Sequence, residues 1–212
     1  MPSVLITGGS GFLGINLVRH FLSLGWKVSS IDKEPFDYPE LEKIQHVHAD
    51  IRDQHSLKAA MQNVDFVVHT AAALPLNTAK EIFSVEVNGT QLVTQAAVDG
   101  GVKRFVHISS TAVYGVPDHH PLFETDELIG VGPYGNAKIQ AEAIAEARRQ
   151  DMLVTILRPK SFIGPERLGV FALLFDWAAD GLNFPIPGGG ANLYQYLDVH
   201  DLCVAIELAL IS

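Results

Sequence analysis

Ser3-Val4-Leu5-Ile6-Thr7 is a short, uninterrupted run around three large aliphatic residues, and it breaks on glycine in Gly8-Gly9-Ser10-Gly11-Phe12-Leu13-Gly14. A run of this kind, without polar alternation, fills the centre of a parallel sheet whose two faces are both covered. The spacing predicts strand, tight turn and helix in immediate succession. Gly8 and Gly9 permit the turn, Gly11 lets backbone approach a ligand closely, and Gly14 lets the helix beginning near Phe12 and Leu13 pack on the strand. The N-terminus of that helix favours negative charge through its N–H groups and dipole. Strand, glycine turn and helix together form a cradle for the pyrophosphate of a dinucleotide.

A second strand, Lys27 to Ile31, delivers Asp32 about 20 residues after the glycine turn, the distance at which a carboxylate meets the adenosine ribose hydroxyls. Its repulsion of a 2′-phosphate favours NAD over NADP. Further strands are expected over Gln45 to His48, Phe66 to Thr70, Arg104 to Ile108 and Leu153 to Leu157. Helices are expected near Gly11 to Leu24, Ser56 to Gln62, Ala79 to Asp99 and Pro133 to Gln150. This alternation is the pattern of βαβ crossovers, so the predicted fold is α/β, a Rossmann-type doubly wound parallel sheet. With 212 residues and 48% hydrophobic content the chain can bury a substantial core. The division expected is 1–163 for the NAD-binding unit and 164–212 for part of a substrate region with a returning strand and helix.

The formal charge of -9 disfavours nucleic acid as a partner, since no basic stripe exists to neutralise phosphates. No apolar run approaches the length of a membrane span. Cys203 is the single cysteine, so no internal disulfide forms, and the first strand begins too early to leave room for a secretory signal. These features suggest the cytoplasm. His119-His120 and His46/His48 lack acids or thiols at metal-ligand spacing, so no metal site is expected. His69 and His107 fall within strands and read as core.

Tyr134-Gly135-Asn136-Ala137-Lys138 carries the second informative pattern. At a spacing of four, Tyr134 and Lys138 share a helical face. A free tyrosine titrates near pH ~10. A lysine charge beside it, together with an oxidised nicotinamide, favours phenolate. Such a phenolate can take the proton of a substrate hydroxyl while the carbon-bound hydrogen leaves as hydride. Ser110, at the end of the fifth strand, can hydrogen-bond the same oxygen and stabilise its developing charge. Ser110, Tyr134 and Lys138 are therefore the candidate catalytic residues.

The ordered set Thr7 to Gly14, Asp50-Ile51, His69-Thr70-Ala71-Ala72, Asn88-Gly89-Thr90, Ser109 to Gly115, Tyr134/Lys138 and Arg158-Pro159 resembles the extended short-chain dehydrogenase/reductase family, in its NAD-dependent epimerase/dehydratase branch. The match runs through nearly the whole chain. The resemblance implies that Asp50 and Ile51 flank the adenine ring, that Ala71 and Ala72 border the cofactor with their backbone, and that Pro159 lies along it. It implies further that Lys138 bonds the nicotinamide ribose alongside Tyr134. It also suggests a homodimer through the helices near Ala79 and Tyr134, where Ala137, Ala141, Ala143, Ala145 and Ala147 allow close packing.

Two departures narrow the reaction. Members that dehydrate nucleotide sugars usually place an Asp-Glu pair after the Ser/Thr, and this chain has Thr111-Ala112 there, which disfavours dehydration. Many sugar-nucleotide epimerases carry an Asn just beyond the Arg-Pro region, where this chain has Ser161. The sequence also stops within an apolar stretch after Asp198-Val199-His200-Asp201, whereas family members commonly continue into a subdomain that selects the substrate. The expected partner is a small molecule with a secondary alcohol or ketone, most simply a sugar or nucleotide sugar handled by an epimerase. The apolar segment from Val170 to Ala179, with Trp177, Phe171, Leu174 and Phe175, leaves open a dehydrogenase of a hydroxysteroid-like alcohol. A non-catalytic NAD-sensing protein is the reading from another class.

Overall fold

Each central strand is apolar on both faces, and the chain buries both under helices. The computed structural model describes residues 1–166, 170–183, 186, 189–191 and 193–212. β1 (Ser3–Thr7), α1 (Phe12–Ser23), β2 (Lys27–Asp32), β3 (Gln45–His48), α2 (Gln54–Ala60) and β4 (Phe66–His69) follow one another, and α3 (Ala79–Phe83), a π-helical segment (Ser84–Gly89), α4 (Thr90–Asp99) and β5 (Arg104–Ile108) come next. Then come α5 (Gly132–Glu146), β6 (Leu153–Leu157), β7 (Phe162–Ile163), α6 (Val170–Ala179), β8 (Leu197–Asp198) and α7 (Val199–Ile211). Six strands form one sheet in the order β3-β2-β1-β4-β5-β6, and every neighbouring pair is parallel. This is the Rossmann arrangement expected from the sequence. The strand order reverses between β1 and β4, which opens the ligand crevice of such sheets at their C-terminal ends.

Period-two alternation assigns the core to two layers. Val4 and Ile6 join Val68, Val106, Leu17, Phe21, Leu202 and Ile206 on the side of α1 and α7. Leu5 joins Val67, Phe105, Leu57, Val93, Ala97 and Ala145 on the side of α2, α4 and α5. Each large side chain so buried contributes about 1.5–3 kcal/mol. α7, which follows the small β7–β8 sheet, therefore returns to the main core. Cys203 on α7 is fully buried, and that burial pushes its thiol up to about 12, so it packs as an apolar group.

Several boundaries differ from expectation. α2 begins at Gln54 because Asp53 caps it, its side chain accepting the His55 N–H at 3.0 Å. The helix expected over 79–99 is interrupted by the π-helical segment, whose last residue, Gly89, lies so close to Ile51 that a Cβ there would stand 2.6 Å from Ile51 Cδ1. α5 ends at Glu146, and Arg148 turns back to bond Gln95 of α4 at 2.8 Å. No described helix is long and apolar enough to cross a membrane.

Candidate active site

The glycine turn is built from contacts that leave no space for side chains. Gly8 has φ +73°, and a Cβ there would lie 2.8 Å from the backbone of Ala71 at the end of β4. A Cβ on Gly14 would lie 2.1 Å from Gly8 O and 2.7 Å from Gly9, so this glycine lets α1 pack on the turn itself, where the sequence suggested the strand. Gly11 meets Gly8 O alone, at 3.3 Å, and is the open wall of the cradle. α1 starts at Gly11 with no capping side chain and no acid in its first turn, which suits an incoming anion. Leu13 is buried in the core, and the Phe12 ring stacks on Phe162 at 5.2 Å.

Asp32, at the C-terminal end of β2, accepts the Ser10 N–H at 3.0 Å and the Glu34 N–H at 2.9 Å. The carboxylate thus ties the glycine turn to the next strand. Asp50 is forked by Arg52, whose Nε lies 2.9 Å from Oδ1 and whose second nitrogen lies 2.6 Å from Oδ2. This guanidinium holds the Asp50 carboxyl below its ordinary range and also reaches Ser84 Oγ at 2.9 Å on the π-helical segment. The Ile51 side chain is buried in the core. Ala71 is half-buried and Ala72 exposed in the segment after β4, and the Pro159 carbonyl accepts the Thr111 N–H at 3.2 Å.

Ser110, just after β5, lies beside Tyr134 and Lys138, which stand on successive turns at the start of α5. Ser110 caps the turn Thr111–Tyr114, its hydroxyl accepting the Ala112 N–H at 3.1 Å. Lys138 is only 2% exposed, its Nζ 5.8 Å from the centre of the Tyr134 ring. The Lys138 ammonium donates to Ile108 O at 3.1 Å and pairs with Glu86 at 2.9 Å. Glu86 itself is 1% exposed, and its other oxygen accepts the Ala73 N–H at 2.9 Å.

This carboxylate adds a second buried charge to the pairing of Lys138 with Tyr134 that the sequence suggested. Burial raises the Tyr134 phenol, Lys138 lowers it, Glu86 raises it and Ser110 lowers it, with a net shift above the ordinary tyrosine value. Burial pulls the Lys138 ammonium down, but Glu86, Tyr134 and Glu142 outweigh it and hold the charge on. The lysine therefore does not by itself produce a phenolate. Glu86 was not legible from its neighbours: a glutamate between Val85 and Val87 on a helix reads as a solvent-facing position, and its partner lies far along the chain.

His69 and His107 are core residues, as expected. His69 hydrogen-bonds Thr7 Oγ1 at 2.7 Å and Thr90 Oγ1 at 3.1 Å, while burial and then the Lys138 charge bring its imidazole down to about 3. Burial, then His69 and Lys138, hold His107 well below its ordinary value too, so both rings are neutral near pH 7. His46 bonds Ser30, His48 bonds Lys33 O, and His119 sits between Asp118 and Asp126 on the surface. Among the described residues no three His, Cys, Asp or Glu side chains converge as metal ligands. A groove of about 720 Å³ between α2 and α4, floored by Leu57, Met61, Leu92 and Ala96, includes none of the residues above.

The family model described as "NAD dependent epimerase/dehydratase family" matches residues 4–212. Protein y4nG of Sinorhizobium fredii is 38% identical over 210 residues, 97% of this chain and 52% of the relative. The chain thus spans about half the length of that protein. The 3-beta-hydroxysteroid dehydrogenase of Mycolicibacterium neoaurum is 31% identical over 96% of this chain and 60% of its own length. Among solved structures, the dTDP-glucose 4,6-dehydratase DesIV of Streptomyces venezuelae, with NAD and TYD bound, superposes with a TM-score of 0.88 at 30% identity. That match covers 99% of this chain and 72% of DesIV.

Proposed function

Because the chain belongs to the NAD dependent epimerase/dehydratase family, we propose that it binds NAD across the β1–β4 crevice and acts as an oxidoreductase or epimerase on a sugar or nucleotide sugar. The observation that carries this reading is the buried Lys138 ammonium against the Tyr134 ring, with Ser110 beside it, at the C-terminal end of the strands that also carries the glycine cradle. Gly8, Gly11, Phe12, Leu13 and Gly14 would hold the pyrophosphate, Asp32 the adenosine ribose, Asp50, Ile51, Ala71, Ala72 and Pro159 the flanks of the dinucleotide. The fit is supported by Gly11, where a side chain would fill the open wall. NAD, when bound, supplies the hydride acceptor and donor.

Tyr134 takes the proton of the substrate hydroxyl as the carbon–hydrogen bond breaks, and returns it when the carbonyl is reduced. Microscopic reversibility makes the same phenol the acid of the reverse step. Ser110 donates to the substrate oxygen as negative charge gathers there. Lys138 keeps the phenol in place and bonds the nicotinamide ribose.

Elimination of water is disfavoured because the turn after Ser110 offers Thr111 and Ala112 in place of an acid and a base. Glu86 and Glu142, two buried carboxylates near the Tyr134–Lys138 couple, are already paired with Lys138 and Arg158. A second reading, oxidation of an apolar alcohol, draws on the hydroxysteroid dehydrogenase relative and on the Phe171, Tyr194 and Tyr196 ring cluster. Association as a homodimer through α4 and α5, whose Gln91, Gln95, Ala143 and Ala147 are exposed, completes the proposal. Light scattering at the monomer mass would refute it.

Mass spectrometry of co-purified ligand separates the readings: a nucleotide sugar supports the first, an apolar alcohol the second, and NAD with no second ligand the sensing alternative. Tyr134→Phe is expected to abolish turnover while leaving NAD affinity unchanged. Equal activity in that variant removes the proposed base.

A further inference from the structure

Lys138 and Glu86 are both held by backbone as well as by each other. The ammonium donates to Ile108 O at 3.1 Å and the carboxylate accepts from Ala73 at 2.9 Å, so neither can turn away without leaving a buried polar group unpaired. The π-helical segment that carries Glu86 is braced from outside by Arg52 through Ser84 Oγ at 2.9 Å, and the same guanidinium reaches Glu81 on α3 at 3.2 Å. With side chains 3% and 1% exposed, the two charges stand 2.9 Å apart and are screened little by water.

We propose that Glu86 is a positioning residue that closes Lys138 into a neutral ion pair, so that Lys138 aligns Tyr134 without giving it a net positive neighbour, and the positive charge of an oxidised nicotinamide supplies the activation. Among the described residues, the other titratable groups around the couple fit this arrangement. Glu142 on α5 is forked by Arg158 at 2.9 and 2.7 Å and is thereby neutralised in turn. His69 on β4 and His107 on β5 are uncharged at neutral pH. Ser110 contributes a dipole and no charge. The balance at the phenol is therefore set by Lys138 against Glu86, and burial decides it toward the protonated form. A phenol kept protonated until the oxidised cofactor arrives would release its own proton to water only then, and so would take the substrate's proton only when hydride can also leave.

The functional meaning of this arrangement rests on Tyr134 being the base, but the charge balance is measurable on protein that turns nothing over. Tyrosines labelled with ¹³C at Cζ and titrated by NMR in the cofactor-free protein, with Tyr134→Phe to assign the resonance, report the phenol directly. Glu86→Gln is expected to lower the Tyr134 midpoint by about one pH unit or more, the effect of an unopposed cation within about 6 Å. A midpoint in folded Glu86→Gln that is unchanged or higher overturns the proposal. Should that variant not fold, Glu86→Gln combined with Lys138→Met removes both charges at once, and their cancellation leaves the midpoint within about half a unit of the parent. A rise of more than about one unit in the double variant means that Lys138 acts as a net cation, which also overturns it. Absence of turnover in the parent protein would sink the enzymatic reading and leave these titrations interpretable.

Discussion

Arg158, just beyond β6, forks both oxygens of Glu142 on α5, with nitrogen–oxygen distances of 2.9 and 2.7 Å. The same guanidinium reaches the Tyr114 hydroxyl at 2.8 Å and Glu124 O at 3.2 Å, so one side chain joins the sheet edge, α5 and the loop after Tyr114. Glu142 is nearly enclosed, its side chain 4% exposed. Removing one partner of such a pair strands the other charge, which costs about 3–5 kcal/mol. Arg158→Met is expected to lose about 3 kcal/mol in urea unfolding, and Arg158→Lys to recover little because an ammonium cannot fork a carboxylate. A loss below about 1 kcal/mol in the methionine variant would show that water compensates Glu142.

Gly14 and Gly11 separate folding from binding. A Cβ on Gly14 would collide with Gly8 O at 2.1 Å, a backbone atom that cannot yield without moving the turn. Gly14→Ala is therefore expected to destabilise the protein by about 3 kcal/mol or more. At Gly11 the nearest atom to a new Cβ is Gly8 O at 3.3 Å, with φ already in the extended range at -79°. Gly11→Ala should keep the parent melting temperature and weaken NAD at least about tenfold, a loss of about 1.4 kcal/mol. Thermal melts paired with calorimetric NAD titrations decide the matter, and a Gly11→Ala protein with intact NAD affinity would place the pyrophosphate elsewhere.

The strands and the cradle were legible because they are local: an apolar run ending on glycine needs no distant partner to be recognised. Val4, Leu5 and Ile6 announce a buried strand by composition alone, and the place of β1 between β2 and β4 accords with burial on both faces. Tyr134 and Lys138 were legible for the same reason, being one helical turn apart. What the sequence concealed is non-local. Glu86 finds Lys138 only after α5 has packed on the π-helical segment, and that segment is itself invisible to a period of 3.6 residues because its extra residue leaves the apolar spacing on either side intact. Ile51 packs closely against Gly89, a contact that no window of sequence around either residue contains.

Asp65 gives the protein an acid-sensitive tie. Lys103 at 2.7 Å, the Ser3 hydroxyl at 2.8 Å and the Ser3 N–H at 3.0 Å all stabilise its carboxylate and bring it down to about 2. In the unfolded chain the same group titrates near ~3.9. Since the folded value is the lower one, the stabilisation is complete above about pH 5 and is lost as pH falls through 3.9 toward 2. Asp65→Asn should be less stable than the parent at neutral pH, and the difference should shrink steadily as pH falls through that window. Urea midpoints taken across the acid limb test this, and a constant difference between the two proteins would sink it.

Asp32 is where cofactor choice should be reversible. Its carboxylate accepts from Ser10 and Glu34 at 3.0 and 2.9 Å, which fixes it at the end of β2 beside the glycine turn. Asp32→Asn keeps the shape of the side chain and one acceptor oxygen, so the turn at Ser10 should survive, while the negative charge and half of the acceptor set are gone. Hydrogen bonds to a charged group are worth about 1.5–3 kcal/mol, so NAD should weaken about tenfold or more. NADP should strengthen, because its 2′-phosphate no longer faces a carboxylate. The ratio of the two dissociation constants, measured by intrinsic fluorescence or calorimetry, is the decisive quantity, since a general loosening of the loop would weaken both cofactors together and leave that ratio where it was. An unchanged ratio would mean that the ribose is held by some other group and that Asp32 serves the turn alone.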